Sequence, residues 1–422
     1  MKVLLLSYYF PPLGLGGTQR MAKFAKYLPE FGWQPTVVTV KDIYYWARDE
    51  SLLDDLHDIR IIRTESLDPQ RLLFRLKKKT TTPSDKVDGS GGRPSALMQF
   101  INQKLLAFFC VPDSKVLWNP LAWREIKRLL GRESFDAVIS SGPPFSTHLL
   151  AARVSKKYGL KWVADFRDDW AGGHVVHEPT SLHRWLNHTY QQRVVRQADA
   201  IIAVSPGIGD DLVRNTPDAG YHLITNGYDP DDYPVPSARD GYFYIVYCGV
   251  ISKFSEPEVL FKALQMLQHQ RPDIYARLRV TFVGQDVTGK LVEYADQYGV
   301  GECIALTGFM PHDRALQYVV DADALLLIAT GTPKDTFIPG KTFEYLGARK
   351  PVLCISNVAD TSAMLRQYSA ARIVEPNDPK GVYRALTDMV QSPVGPNEND
   401  HDFIEQFNRK QQTRKLGKIL NE

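Results

Sequence analysis

Short runs rich in Val, Ile and Leu recur along this chain, and between them lie longer stretches whose apolar residues return every three or four positions. In the first half, "KVLLL", "PTVVTV", "RIIRT", "DAVISS", "KWVADF", "AIIAV" and "HLIT" read as strands. Between the first two, "TQRMAKFAKYLPEF" places Met21, Phe24, Ala25 and Leu28 on one helical face. The second half restarts the pattern with "FYIVYCG", "LRVTFVG", "CIALTG", "ALLLIA", "PVLCI" and "ARIV". Strands alternating with helices predict parallel sheets covered on both faces. The expected fold class is therefore α/β, in two doubly wound halves.

Composition shifts mark the joints. The segment 226–242, "NGYDPDDYPVPSARDGY", is dense in Gly, Pro, Asp and Asn, which is turn and linker chemistry. It divides an N-terminal domain, 1–225, from a C-terminal domain, 243–400. Residues 401–422 form a helical pattern expected to pack back on the first domain. A second irregular stretch, about 76–95, breaks the first half with Lys, Ser, Thr and Gly and reads as a mobile insert.

At 422 residues the chain is too long for one ordinary core, which agrees with two domains. A content of 44% hydrophobic and 23% charged residues excludes a disordered or fibrous chain. The net charge of +3 is too small for a protein that grips nucleic acid along a whole face, so any phosphate bound is local. Cys110, Cys248, Cys303 and Cys354 lack metal-ligand spacing and read as reduced, buried thiols. The opening "MKVLLLSYYFPP" reads as a strand rather than a secretory signal, and no apolar run is long enough to span a bilayer. The expected location is the cytoplasm.

The most demanding stretch is "FIPGKTFEYLGARKPVL", 337–353, which sets Pro339, Gly340, Lys341 and Thr342 at the mouth of a predicted helix. The first amides of a helix lack intrahelical partners and carry the positive end of its dipole, so a helix opened by glycine suits an anion. Lys341 adds a full charge, and a phosphate or diphosphate is the natural guest. Glu344, one turn in, would repel that anion if it faced it; hydroxyls such as those of a ribose suit it better. A nucleotide diphosphate meets both demands. The plainer alternative is that Pro339 starts the helix, Gly340 is incidental and Glu344 complements the dipole. "PGKT" is not the end of a P-loop, because Asp335 stands where that motif needs glycine. Further glycines follow strands: Gly14, Gly16 and Gly17 after the first, Gly249 and Gly284 in the second half, where open α/β sheets bind ligands.

Ordered strings along nearly the whole chain carry a resemblance: the "GG" loop, "SSGPPFSTHLLAARVSKKYGLKWVADFRDDW", "ADAIIAVSPGI", "ITNGYDPDDY", "YCGVISKF", "LTGFMPHDRALQYVVDADALLLI" and "IPGKTFEYLGARKPVL". With these the chain resembles the retaining glycosyltransferases of family four, whose GT-B architecture is two Rossmann-like domains facing across a cleft. The resemblance implies a nucleotide-sugar donor on the second domain and an acceptor on the first. It implies that the loop at Pro339, Gly340 and Lys341 lies by the diphosphate and that Glu344 takes the ribose hydroxyls. Lys253 resembles the family's basic residue for the leaving diphosphate, although Val250, not Arg, follows Gly249. The family's acceptor-domain histidine is replaced by "DFRDDW", making Asp165, Arg167 and Asp168 the candidates near the reacting sugar. A salt-bridged strand end is the competing reading of Arg167. Gly16 and Gly17 form the candidate acceptor or phosphate loop. The first of the family's two paired glutamates is missing, and Thr336 stands in its place.

The expected function is transfer of a sugar, UDP-linked by preference, to a glycan or lipid-linked acceptor in polysaccharide or cell-envelope assembly, with retention and with no cofactor or metal. The two D-x-D strings, 229–231 and 321–323, read as linker turn and helix-to-strand junction rather than cation ligands. Basic and apolar residues mix at 71–79 and 97–109, so Arg71, Arg75, Lys77, Lys78 and Lys79 are candidates for peripheral contact with an anionic membrane. A solvated basic loop beside a packed helix is the alternative there. Rivals for the whole chain are a non-catalytic nucleotide-sugar-binding partner and a nucleotide-sugar epimerase on the same fold.

Overall fold

The computed structural model of the protein describes all residues except 15, 46–47, 81–105, 172–175, 217, 238–239 and 333–334. It divides into two compact units, Met1–Thr225 with Gln412–Glu422, and Asn226–Gln411. Each is a Rossmann-like parallel sheet between helices, as the alternation of strand and helix patterns predicts.

The first unit holds β1 (Lys2–Leu6), β2 (Gln34–Val40), β3 (Arg60–Thr64), β4 (Ala137–Gly142), β5 (Lys161–Phe166), β6 (Ala200–Ala203) and β7 (His222–Leu223), in the order β3-β2-β1-β4-β5-β6-β7. Alternate residues point to opposite faces. Leu4, Leu6, Val138, Trp162 and Ala164 meet helices Asn119–Leu130, Ser146–Tyr158 and Ser181–Gln197 on one side. Val3, Leu5, Ile139 and Val163 meet helix Gly16–Tyr27 on the other, where Leu416, Ile419 and Leu420 also pack.

The second unit holds β8 (Phe243–Cys248), β9 (Leu278–Val283), β10 (Ile304–Gly308), β11 (Ala324–Ala329), β12 (Val352–Ser356) and β13 (Ala371–Val374), in the order β10-β9-β8-β11-β12-β13. Ile245, Tyr247, Leu326 and Leu353 line one face, and Val246, Cys248, Leu325, Leu327 and Cys354 the other. In each sheet the strand order reverses direction at one point, between β1 and β4 and between β8 and β11. The crevice beyond the carboxyl ends of the strands at such a point is where open α/β sheets take ligands.

Two expectations need adjustment. Helix Pro69–Thr80 runs into the stretch read as an irregular insert, because Leu, Arg and Lys are good helix formers and no Gly or Pro intervenes before position 83. The rest of that insert and most of 97–109 lie outside the described residues. Arg71 is not available to a membrane: its guanidinium is buried, bound to Glu65 at 2.8 and 2.9 Å and to the Asp42 carbonyl. Arg75 is exposed, and the side chains of Lys77, Lys78 and Lys79 lie outside the described set. All four cysteines are buried and unpaired. No described helix is long and apolar enough to cross a membrane.

Candidate functional site

In the second unit the candidate residues gather where β8, β9 and β11 end. Cys248 pairs with Val283 in the β8–β9 register, so Gly249 and Gly284 follow side by side. The Gly249 amide donates to the Val283 carbonyl at 2.7 Å. Both glycines have left-handed φ, +130° and +131°, which L side chains rarely adopt. A Cβ on Gly284 would sit 2.2 Å from the Gly249 carbonyl oxygen, and one on Gly249 would sit 2.8 Å from Lys341 Nζ. The backbone must be bare here for the strands to end this close together. The Lys341 ammonium lies above the same spot, 3.6 Å from the centre of the Tyr247 ring.

Lys341 begins the short helix Lys341–Gly347, whose Phe343, Tyr345 and Leu346 are buried against the sheet. The Tyr345 hydroxyl accepts the Cys248 amide at 2.7 Å, fixing this helix to the end of β8. The mouth of the helix is tighter than the sequence suggests. Thr342 and Phe343 amides turn back to the Pro339 and Gly340 carbonyls, at 3.0 and 3.2 Å. Among the described residues, that leaves the Gly340 and Lys341 amides for an anion. Gly340 itself has ordinary helical dihedrals, φ −55° and ψ −36°, and a Cβ there would meet nothing within 4 Å. The protein's own packing does not require glycine at 340, whereas at 249 and 284 it does.

Glu344 is held by a residue the sequence reading did not single out. His312, first in helix His312–Asp321, donates from Nε2 to Glu344 Oε1 at 3.0 Å. Burial pushes the Glu344 carboxyl up, but the His312 hydrogen bond, His312 charge, Arg409 and Lys341 outweigh it and hold the pKa below the ordinary value. The carboxylate is thus ionised at neutral pH. His312 stands 32 residues before Glu344 in the chain, and no local spacing announces the pair. Tyr233 adds its hydroxyl to the Glu344 carbonyl at 2.7 Å.

Lys253 is exposed in the loop after β8, its ammonium 4.8 Å from the Phe254 ring. That loop is tied to the one after β11: the Thr330 amide donates to the Phe254 carbonyl at 2.8 Å, and the Phe254 and Phe337 rings meet edge to face. Thr336 and Pro339 lie half-buried on the latter loop, and Thr342 is buried in the helix behind it. Asp335, next to the missing glutamate, is no substitute for it. Its carboxylate folds inward to accept the Thr332 amide at 2.6 Å and hydroxyl at 3.0 Å. The D-x-D carboxylates serve backbone ends as well: Asp229 accepts the Asp231 amide, Asp321 that of Ser237 and Asp323 that of Tyr244.

In the first unit the structure separates three candidates that stand together in the sequence. Asp165 is not placed for chemistry. It is fully buried and held by Arg20, with Nη2 to Oδ1 at 2.7 Å, and by the Ser141 hydroxyl at 2.8 Å. Arg20 completes its fork on the Ile224 and Thr225 carbonyls. Arg167 is neither the expected salt-bridged strand end nor an outstretched cation: its guanidinium donates to the Gly17 and Pro143 carbonyls. A Cβ on Gly17 would meet Arg167 Nη1 at 2.5 Å, which explains that glycine by packing. Helix Gly16–Tyr27 starts at its neighbour, Gly16.

Asp168 is different. Burial pushes its carboxyl up to about 6 while nearby Arg167 pulls the other way. Asp168 itself is half-buried; two residues on, Trp170 is buried, stacks on Phe145 at 4.9 Å and donates to Asn187 Oδ1. Tyr9, which no sequence signal marked, shares the field of Arg167; burial pushes its phenol well above the usual value, and its ring lies 5.7 Å from that of Tyr45.

Comparison with known proteins agrees with the two-domain fold. Residues 16–227 match the glycosyl transferase 4-like domain, and residues 242–392 match the glycosyl transferases group 1 domain. No curated protein matched. Among solved structures, sucrose-phosphate synthase from Thermosynechococcus elongatus is similar at TM-score 0.64 and 13% identity, covering 100% of this chain and 98% of its own. WaaG, a glycosyltransferase involved in lipopolysaccharide biosynthesis, is similar at TM-score 0.61 and 12% identity, covering 99% of each chain. A UDP-N-acetylglucosamine 2-epimerase is similar at TM-score 0.54 and 12% identity, covering 99% of this chain and 94% of its own. At such identities these likenesses speak for the fold alone, while the two domain matches decide the family. With a 4-like domain followed by a group 1 domain on a GT-B fold, the chain belongs to the group 1 glycosyltransferases.

Proposed function

We propose that the protein is a retaining glycosyltransferase of family four that moves a sugar from a nucleotide diphosphate, UDP by preference, to a glycan or lipid-linked acceptor, without a metal. One observation carries this reading. Gly340 stays a glycine where the protein's own packing does not need one, beside Lys341, the bare turn at Gly249 and Gly284, and an ionised Glu344. A diphosphate by Gly340 and Lys341 and a ribose on Glu344 account for all four.

In the reaction the bond from the anomeric carbon to the phosphate oxygen breaks, a bond to the acceptor oxygen forms, and the acceptor hydroxyl loses its proton. The departing diphosphate gains negative charge, which Lys341, Lys253 and the amides at Gly340 and Lys341 are suited to stabilise. On the first domain we assign Asp168 to the acceptor hydroxyl, since a carboxyl that titrates near 6 can take a proton at neutral pH. Arg167 is a positioning residue there, holding the Gly17 and Pro143 backbone. Assembly of a polysaccharide or another cell-envelope glycan is the setting this reading favours.

The test is to incubate the protein with UDP-, GDP-, dTDP- and ADP-sugars, with and without lipid-linked glycan acceptors, and to measure free nucleoside diphosphate. Acceptor-dependent release from one donor, with the product's anomeric configuration matching the donor's, is expected. Donors bound but left intact under every condition would favour a binding protein, and conversion of the donor sugar without acceptor would favour an epimerase.

A further inference from the structure

The Lys341 ammonium is held by a ring rather than by an acid. Among the described residues no carboxylate forms an ion pair with it, and Glu344, one turn on, gives its Oε1 to His312 instead. What receives the charge is Tyr247, whose ring centre lies 3.6 Å from Nζ. β8 presents that ring from the core: Tyr247 is fully buried, the Phe282 ring lies 5.7 Å away, and Phe261 stacks on Phe282 at 6.2 Å. The Tyr247 hydroxyl donates to the Val250 carbonyl at 2.9 Å, so the ring is fixed at its far end as well.

The surrounding backbone leaves room for this contact. A Cβ on Gly249 would stand 2.8 Å from Lys341 Nζ and 3.0 Å from its Cε, so the bare turn is what lets the ammonium settle on the ring. Valine follows at 250, and the first cation of the loop after β8 is the exposed Lys253. Lys341 is thus the cation closest to the turn.

The kind of partner decides what such a lysine can do. A carboxylate in hydrogen-bond contact would neutralise the ammonium and compete with an arriving anion. An aromatic face attracts it through the ring quadrupole, by an amount comparable with the rotamer freedom a lysine loses on being fixed, and leaves its full charge and its outward N–H donors available. The contact is not needed to seat helix Lys341–Gly347. Buried Phe343, Tyr345 and Leu346 already do that, together with the Tyr345 hydroxyl on the Cys248 amide.

We propose that Tyr247 is a positioning residue for the donor: its ring fixes Lys341 over the Gly249 and Gly284 turn with the charge intact, so the ammonium meets the diphosphate already ordered. This rests on the donor reading of that turn and adds the residue that makes Lys341 effective there.

The test replaces Tyr247 by phenylalanine and by mono-, di- and trifluorinated phenylalanines through codon suppression. Fluorines drain negative charge from the ring face and barely change its shape, and every member lacks the hydroxyl, so Tyr247→Phe is the reference. Affinity for the tightest of UDP, GDP, dTDP and ADP should fall stepwise along the series, about three- to tenfold in all, at unchanged melting temperature. The same series in Lys341→Ala should be flat. In the ligand-free parent and in Tyr247→Phe, the Lys341 ε-protons should show an upfield ring-current shift. A merely structural ring would respond to none of the fluorines, or would respond equally without Lys341. Either result, affinity that rises with fluorination because ring and diphosphate compete for the lysine, or absence of the ring-current shift would overturn the proposal, and a parent that still binds a nucleotide through Lys341 would keep the donor reading. A parent that binds none of the four nucleotides would remove both.

Discussion

The strand ends of the two domains use their charges in opposite ways. In the first, the charge of Asp165 is consumed by Arg20, and Arg167 is spent on backbone carbonyls, so most of the ionic chemistry there builds the fold. In the second, Lys253 is exposed, Lys341 stands over a bare glycine turn, and Glu344 keeps its charge beside His312. The difference teaches that charged residues at a sheet's carboxyl edge are not equivalent candidates. What distinguishes them is whether the chain itself already satisfies them.

The largest expected effect breaks the first domain rather than the reaction. Arg20→Ala leaves a buried Asp165 unpaired and should destabilise the protein by about 3–5 kcal/mol in chemical denaturation. If Asp165 instead served chemistry, the same variant would keep its stability and lose turnover. Next, Lys341→Ala should lower kcat by roughly a hundred- to a thousandfold, read as nucleoside diphosphate release, with little change in melting temperature.

The glycines sharpen the contrast within the second domain. Gly284→Ala should cost on the order of 3 kcal/mol, because it combines a left-handed φ with a Cβ 2.2 Å from a carbonyl oxygen. Gly340→Ala should change stability by less than about 0.5 kcal/mol, since its dihedrals suit alanine and its surroundings are open. Donor affinity should nevertheless fall about tenfold or more, because in the proposed donor site the new methyl group stands where the diphosphate approaches. Equal donor affinity in Gly340→Ala and the parent would place the nucleotide elsewhere.

The smallest effect concerns Asp168. A carboxyl whose folded pKa lies above its unfolded value costs stability as pH rises from about 4 through about 6, and the cost persists above that. Asp168→Asn should therefore gain about 1 kcal/mol at pH 7.5, a gain that disappears by about pH 4. In the parent, turnover should rise with an apparent pKa near 6, and the variant should lose that limb. Glu344, whose pKa is lowered, adds no limb in that range.

Much of the architecture was legible in the sequence because it rests on local signals. Apolar runs such as "ALLLIA" and "PVLCI" are adjacent strands, β11 and β12, and the turn-rich segment after Thr225 begins the second unit. The glycines after β8 and β9 were visible too, since a glycine closing a strand is a local sign of an unusual backbone. What the sequence could not show were partnerships across long separations. His312 with Glu344, Arg20 with Asp165 and Arg167 with Gly17 join residues 32, 145 and 150 positions apart.

Calorimetric titration of UDP into the parent protein and into Lys341→Ala tests the central claim most directly. The account predicts one site per chain in the parent and an affinity lower by about tenfold or more in the variant, with both proteins equally folded. Identical affinity in the two would contradict it.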